Sequence, residues 1–86
     1  MIIILAKNCK KQYKKLKPNL QNRFTRRIGL FKTDPFNPIL NNHALAGKYK
    51  GYRSINVTGD LRAVYKLMEE SVAYFVALDT HSNLYR

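Results

Sequence analysis

The last third of the chain constrains the fold most. Three short segments rich in β-branched and aromatic residues follow one another at residues 52–57, 61–68 and 72–79. The turn sequences Thr58-Gly59-Asp60 and Glu69-Glu70 separate them, and both favour β-hairpins. The sequence therefore predicts a three-strand antiparallel meander.

The N-terminal half is predicted to contain one strand and two helices. Residues 2–5 form a continuous apolar run, which is typical of a covered strand. Two patterns with helical spacing follow, separated by Pro18, and the second should end near Thr33 because Asp34-Pro35 disfavours helix. Their apolar stripes are Leu5, Cys9, Tyr13 and Leu16, and then Leu20, Phe24, Ile28 and Phe31.

This order of elements predicts an α+β fold, with a helical hairpin packed on one face of the sheet. The 86 residues suit a single domain that covers residues 1–86. Cys9 is the only cysteine, so no internal disulfide can form, which fits a reducing cytoplasm. The apolar start is too short for a signal peptide or a membrane span, so we expect a cytoplasmic protein without membrane contact.

The first hairpin is predicted to gather polar residues at one end of the sheet. A three-residue turn at 58–60 pairs Asn56 with Arg62, and strand alternation places both on the face without helices, together with Asp79. If the last strand runs two residues past Asp79, His81 joins this group.

The second hairpin determines which face the last strand turns toward the helices. A two-residue turn at residues 69 and 70 pairs Leu67 with Val72. Tyr74 then lies on the helix-covered face and Phe75 on the opposite one. A one-residue slip in the pairing would exchange these assignments.

The net charge of +11 favours a polyanionic partner: nucleic acid first, then an acidic protein or an anionic membrane surface. The lysine-rich stretch at residues 9–17 is either a solvated helix face or an electrostatic contact for RNA or an acidic partner. Residues 48–54 interleave basic and tyrosine side chains, a combination that suits single-stranded RNA as well as an ordinary exposed loop.

Two residues point to phosphate chemistry. His81 can transfer a proton near neutral pH, although a lone histidine can also be a plain surface residue. Arg62 either extends to water or holds a phosphate in bidentate fashion. His43 and Asp60 are weaker candidates, since Asp60 also suits a turn. With five acidic residues, a metal-dependent nuclease is hard to build, whereas RNA supplies its own 2′-OH nucleophile.

The C-terminal half resembles the RelE/ParE toxin superfamily, particularly its YafQ-like branch. The resemblance is carried by HALAG at 43–47, KGYR at 50–53, GDLRAVYKL at 59–67 and THSNLY at 80–85. The N-terminal half is similar only in the order of its elements. The resemblance implies a cytoplasmic toxin of a type II toxin–antitoxin pair that cleaves mRNA, generally in the ribosomal A site. A small acidic antitoxin would block it within a hetero-oligomeric complex that contains the toxin as a monomer.

The resemblance also assigns roles to residues, without any metal or cofactor. His81 matches a catalytic histidine, Arg62 matches the arginine of the superfamily's GDxR segment, and Asp60 and His43 match residues of the YafQ-like site. Asn56 stands where YafQ-like relatives carry another histidine. The expected substrate-binding residues are Lys48, Lys50, Arg53, Asn56 and Tyr85.

Two other functions are compatible with the sequence. A ParE-like toxin shares this fold but binds DNA gyrase and has no nuclease chemistry, so it has no need of His81, Asp60 and Arg62 as a set. A basic RNA- or ribosome-binding module would bind without cutting.

Overall fold

A computed structural model of the protein, which describes residues 1–85, contains one five-strand sheet in the order β1-β5-β4-β3-β2. β1 pairs with β5 in parallel, and the other neighbours are antiparallel. The strands are β1 (Ile2–Leu5), β2 (His43–Ala44), β3 (Arg53–Asn56), β4 (Leu61–Glu69) and β5 (Val72–Thr80). The helices are α1 (Lys7–Lys15), α2 (Pro18–Thr33) and α3 (His81–Leu84), with short 3₁₀ turns at Pro38–Leu40 and Gly47–Tyr49.

The predicted α+β class and the two-helix layer are confirmed. Pro18 is the first residue of α2, where its missing N–H costs no hydrogen bond. α1 and α2 bury Cys9, Phe24 and Phe31 in the main core. The Phe31 ring packs edge-on against two aromatic rings of the sheet. Each such buried ring stabilises the fold by about 1.5–3 kcal/mol relative to an exposed one.

The pairing of β3 with β4 is as predicted, with Asn56 opposite Arg62. The pairing of β4 with β5 was wrongly predicted, because Val72 pairs with Glu69 rather than Leu67. The register shifts between Val64 and Tyr65 and between Leu67 and Glu69, and these shifts change which face of the sheet successive side chains of the two strands occupy.

The faces predicted for Tyr74 and Phe75 were therefore wrong, because each side chain lies on the face that was predicted for the other. Phe75 is fully buried under the helices, where its ring contacts Phe31 and Tyr65. Tyr74 alternates with it and turns to the opposite face. At Leu78 and Asp79 the shift between Val64 and Tyr65 restores the predicted parity, so Asp79 lies directly opposite Arg62.

The face opposite α1 and α2 is partly covered, although the sequence predicted no element there. Val64, Ala77 and Leu84 form a second, smaller core, and Leu45, Tyr49 and Tyr52 pack against it. This core attaches α3 and the segment between β2 and β3 to the sheet. No helix within residues 1–85 is long and apolar enough to cross a membrane.

Candidate functional site

The tail after β5 begins a short helix at His81, so the condition under which His81 would join the last strand is not met. The Thr80 side chain caps α3 by accepting a hydrogen bond from the Asn83 N–H at 3.3 Å. Asp79 adds hydrogen bonds from the Thr80 N–H and the Asn83 amide, at 2.8 and 3.0 Å. A threonine before a short polar stretch is a common N-cap signal, which sequence reasoning missed.

His81 is held beside the turn that joins β3 to β4. Its backbone N–H donates to the Asp60 carbonyl at 2.9 Å, while its side chain is exposed. The Asp60 side chain is exposed as well. The main chain thus brings these two predicted site residues together and leaves both side chains accessible.

Arg62 lies on the neighbouring strand and is tied to the same turn. Its Nη2 donates to the Gly59 carbonyl at 2.8 Å. Within the described part of the chain, its Nε, Asn56 Oδ1 and Ser54 Oγ are buried without a hydrogen-bond partner. All three residues lie on the face opposite α1 and α2. Buried polar atoms of this kind are costly, and they often mark a place that a ligand or water completes.

An aromatic row extends from His81 across this face, formed by His81, Tyr85, Tyr49 and Tyr52. Successive ring centroids are 4.8, 6.3 and 6.1 Å apart. Lys48 Nζ lies 5.3 Å from the Tyr49 ring. Lys66 Nζ lies 5.7 Å from the Tyr52 ring. Cations next to accessible rings are the combination that single-stranded nucleic acid requires.

His43 lies on the same face but farther from His81. It pairs with Ser54, and its Nδ1 is 2.8 Å from the Asn41 carbonyl oxygen. Strand spacing and rise place its Cα roughly 12 Å from that of Arg62 and about 8 Å from that of Asn56. His43 therefore neighbours Asn56 more closely than it neighbours Arg62.

Arg53 is not brought together with the other predicted site residues. It alternates with Ser54 on β3, so it lies on the opposite face of the sheet. Its Nε donates to Asn42 Oδ1 at 2.8 Å, and its guanidinium lies 5.3 Å from the Phe36 ring. The Lys50 side chain, in contrast, is exposed and makes no hydrogen bond or ion pair within residues 1–85.

Gln12 of α1 supports the site from the helical side, and sequence reasoning missed it. Its amide donates to Asp79 Oδ2 at 3.3 Å and accepts from the Leu78 N–H at 2.8 Å. A cavity of about 330 Å³ lies between this contact and the turn that contains Asp60. The only signal in the sequence was a polar residue next to the apolar stripe of the first helix.

The site thus combines an exposed imidazole, a guanidinium and a row of rings. Imidazole can donate or accept a proton, and a guanidinium stabilises charge on a phosphate. Among residues 1–85, no three His, Cys, Asp or Glu side chains lie close enough to bind one metal ion.

The five-strand α+β fold, with this face opposite its two long helices, defines a RelE-like toxin fold. The chain belongs to the family described as the bacterial toxin of type II toxin–antitoxin systems, YafQ, whose model matches residues 2–86. It is thus a toxin of a type II toxin–antitoxin system. The predicted family is confirmed.

Solved structures support the same fold. YafQ from E. coli strain BL21(DE3) is 23% identical, covers 98% of this chain and 97% of its own, and superimposes with a TM-score of 0.82. YafQ in the E. coli DinJ–YafQ complex is 26% identical over 98% and 97%, with a TM-score of 0.76. A metal-bound toxin from Helicobacter pylori is 25% identical over 98% of both chains, with a TM-score of 0.75. No curated protein sequence compared with the chain matches it.

Proposed function

We propose that this toxin is an endoribonuclease that cleaves mRNA, in the ribosomal A site, without a metal ion. The 2′-oxygen of one nucleotide attacks the adjacent phosphorus, and the bond from phosphorus to the 5′-oxygen breaks. The products are a 2′,3′-cyclic phosphate and a free 5′-OH. The observation that carries this proposal is the exposed His81 side chain, which lies next to the turn that bears Asp60 and holds Arg62.

Each predicted residue has a role in this reaction. His81 donates the proton that the leaving 5′-oxygen needs, and Asp60 or His43 accepts or orients the 2′-OH proton. Arg62 stabilises the charge that develops on the phosphorane-like transition state. Its buried Nε has no partner within the described residues, which leaves donor capacity for a phosphate.

The remaining residues bind the strand. Tyr85 stacks on a base, and Asn56 offers an amide that can hydrogen-bond but cannot titrate. Lys48 and Lys50 contact flanking phosphates from the segment that carries Tyr49. Arg53 would join them only by leaving Asn42 and Phe36, so we expect it to contribute less than either lysine.

The proposed setting is the cytoplasm, and the proposed partner is a small acidic antitoxin. E. coli YafQ, a structural neighbour, forms a complex with DinJ. The net charge of +11 suits an acidic segment that folds on binding and neutralises part of this charge. We expect the toxin to be a monomer within a hetero-oligomeric toxin–antitoxin complex.

The test is cleavage of mRNA on translating ribosomes, with the ends mapped by primer extension. His81→Ala should lose roughly 10²–10⁴-fold in rate, the usual contribution of general acid catalysis. His81→Gln is the matched control, because it keeps a polar side chain of similar size but cannot transfer a proton. Cleavage should persist when the toxin alone has been treated with EDTA and separated from it before addition to ribosomes, which keep their own Mg²⁺.

Three results would contradict the proposal in different ways. Cleavage by His81→Ala at the normal rate would remove the assigned proton donor. Loss of activity in the EDTA-treated toxin that returns when a divalent transition-metal ion is restored to it would overturn metal independence. Inhibition of DNA gyrase without any mRNA cleavage would support the ParE-like alternative.

A further inference from the structure

The cavity beside the Asp60 turn lies at the edge of the candidate site, and the reaction proposed above assigns no group of the RNA to it. Its volume is about 330 Å³, which is at the small end of the range for ligand sites, about 300–1,000 Å³. Residues from the end of α1, the start of α2, the turn between β3 and β4, and the end of β5 line it. A space of this size suits one small ring system.

Leucine side chains give the cavity its apolar surface. Leu61 and Leu78 are buried, at 6% and 2% exposed. Leu16 and Leu20 are half-buried and pack against the main core. Apolar side chains of this kind favour the flat faces of a nucleobase, because these faces release water on entering and need no hydrogen bond.

Most of the polar groups around the cavity already have partners. Gln12 is bonded to Asp79, and Thr58 Oγ accepts from two backbone N–H groups of the turn at 3.2 and 2.9 Å. Two charged side chains remain, Lys15 and Asp60, and both are exposed. Within residues 1–85 neither side chain makes a hydrogen bond or an ion pair, even with the other. A ligand between them therefore needs an acceptor for the ammonium and a donor for the carboxylate.

A ribonucleotide supplies both of these groups. Its base carries ring and carbonyl acceptors for Lys15, and its 2′-OH is a donor for Asp60. A phosphate is a poor occupant, because the carboxylates of Asp60 and Asp79 both line the cavity and repel it. The acidic side chains of a protein partner would be repelled in the same way. The cavity is therefore suited to a base, with the ribose at its edge.

The turn connects this cavity to the reacting groups. The Asp60 side chain lines the cavity, while the Asp60 carbonyl accepts from the His81 N–H. The neighbouring Gly59 carbonyl holds Arg62. A nucleotide with its ribose at Asp60 and its base in the cavity thus directs its 3′-phosphate toward His81 and Arg62. The leaving nucleotide then lies toward Tyr85, whose ring centroid is 4.8 Å from that of His81.

Lys15 favours one of the four bases. Guanine has two adjacent acceptors, O6 and N7, which one ammonium can bind together. Adenine places an amino donor beside N7, and this donor repels an ammonium. Cytosine and uracil have a single ring, so they cover less of the apolar surface.

We infer that this cavity binds the base of the nucleotide whose 2′-oxygen attacks, and that Lys15 makes guanine the preferred base. The inference rests on the proposed function, since it assigns a further group of the same substrate to the same site. The toxin accordingly cuts most readily on the 3′ side of guanosine.

The test uses the four nucleoside 3′-monophosphates as probes. Each carries the base, the 2′-OH and the 3′-phosphate of the attacking nucleotide, and none has a bond to a 5′-oxygen that could be cleaved. Binding to the full-length wild-type chain is followed by NMR through the backbone amide signals of Leu16 and Thr58. Guanosine 3′-monophosphate should bind roughly 5–10-fold more tightly than adenosine 3′-monophosphate, which is the lower end of the discrimination that a paired contact to guanine gives.

Two charge-matched variants separate the role of Lys15 from that of net charge. Lys15→Gln should bind the guanine and adenine nucleotides equally well. Lys14→Gln removes the same charge from the next residue, which is exposed and does not line the cavity, so it should keep the preference. Leu16→Phe should weaken binding of all four probes, because the larger ring takes up part of the cavity.

Cleavage on ribosomes provides the second measurement. Among mRNAs that differ only in the base before the mapped cut, the wild type should cleave the one with guanosine fastest, and Lys15→Gln should lose this preference. Equal binding of the four probes, or no shift of the cavity amides by any of them, would overturn the inference. A guanine preference that survives in Lys15→Gln, or that is lost equally in Lys14→Gln, would overturn it as well. A guanine preference in a toxin that cuts no mRNA would support the guanine subsite and count against the proposed function alone.

Discussion

Leu84 holds the tail that carries His81, and its removal should release the tail without unfolding the sheet. Leu84 is 4% exposed and packs against Val64 and Ala77. Leu84→Ala deletes three carbon atoms, which at ~0.8 kcal/mol each gives about 2.4 kcal/mol. Leu84 lies near the surface, so the cavity that the substitution leaves can partly collapse. The loss of stability should therefore stay near the lower end of the usual range for core leucines.

The lost burial free energy should detach α3 and leave the sheet folded, because few other interactions hold this helix. The tail is held by the Thr80 cap, the hydrogen bond from the His81 N–H to Asp60, and the Asn83 contact with Asp79. Ordering each residue of the tail costs about 1–2 kcal/mol of backbone entropy, which offsets much of the stabilisation that these contacts provide. A loss of about 2 kcal/mol should therefore shift the equilibrium between the attached and the detached tail roughly 30-fold toward the detached state.

Hydrogen exchange followed by NMR measures this directly. The His81 amide, protected by its bond to Asp60, should exchange ~30-fold faster in Leu84→Ala, while the β4 amides should change little. mRNA cleavage should fall together with this protection. Leu84→Met keeps the volume and should behave nearly as wild type. If Leu84→Ala accelerates exchange of His81 and of β4 equally, the tail unfolds only with the whole protein and the reasoning is wrong.

Two further predictions concern the helical layer. Burial raises the pKa of the Cys9 thiol from 9.0 to about 11, so the folded state keeps this proton longer than the unfolded state. The stability that this group contributes should be complete below pH 9 and should fall by about 2 kcal/mol as the pH rises to 11. Urea unfolding at each pH should show this extra loss relative to Cys9→Ala, and parallel curves would refute it. Lys11→Glu converts repulsion with Lys7 and Lys15 into attraction, and should raise the free energy of unfolding by about 1 kcal/mol. Lys11→Gln should give about half of this gain, and destabilisation by Lys11→Glu would contradict the assignment of charge repulsion to these three lysines.

Local patterns in the chain were sufficient to predict most of the elements. The apolar stripes and Pro18 placed α1 and α2, because amphipathic spacing and proline act within a few residues. The Thr58-Gly59-Asp60 turn determined the pairing of Asn56 with Arg62, since the length of a tight turn sets the register of its hairpin. The sequence motifs also predicted that His81, Asp60 and Arg62 belong to one site, and in the structure the three residues meet at one turn.

The features that only the tertiary structure decided depend on packing between distant segments. Phe75 turns toward the helices because its ring fits against Phe31 and Tyr65, and the register shifts in β4 and β5 allow this. α3 forms because Leu84 has a place in the second core. Residues 1–33 carry ten of the sixteen Lys and Arg residues, and this charge is separated from the candidate site only because α1 and α2 pack on the opposite face of the sheet. The sequence alone determined the elements and the chemistry available to them, whereas long-range packing decided which face receives each side chain.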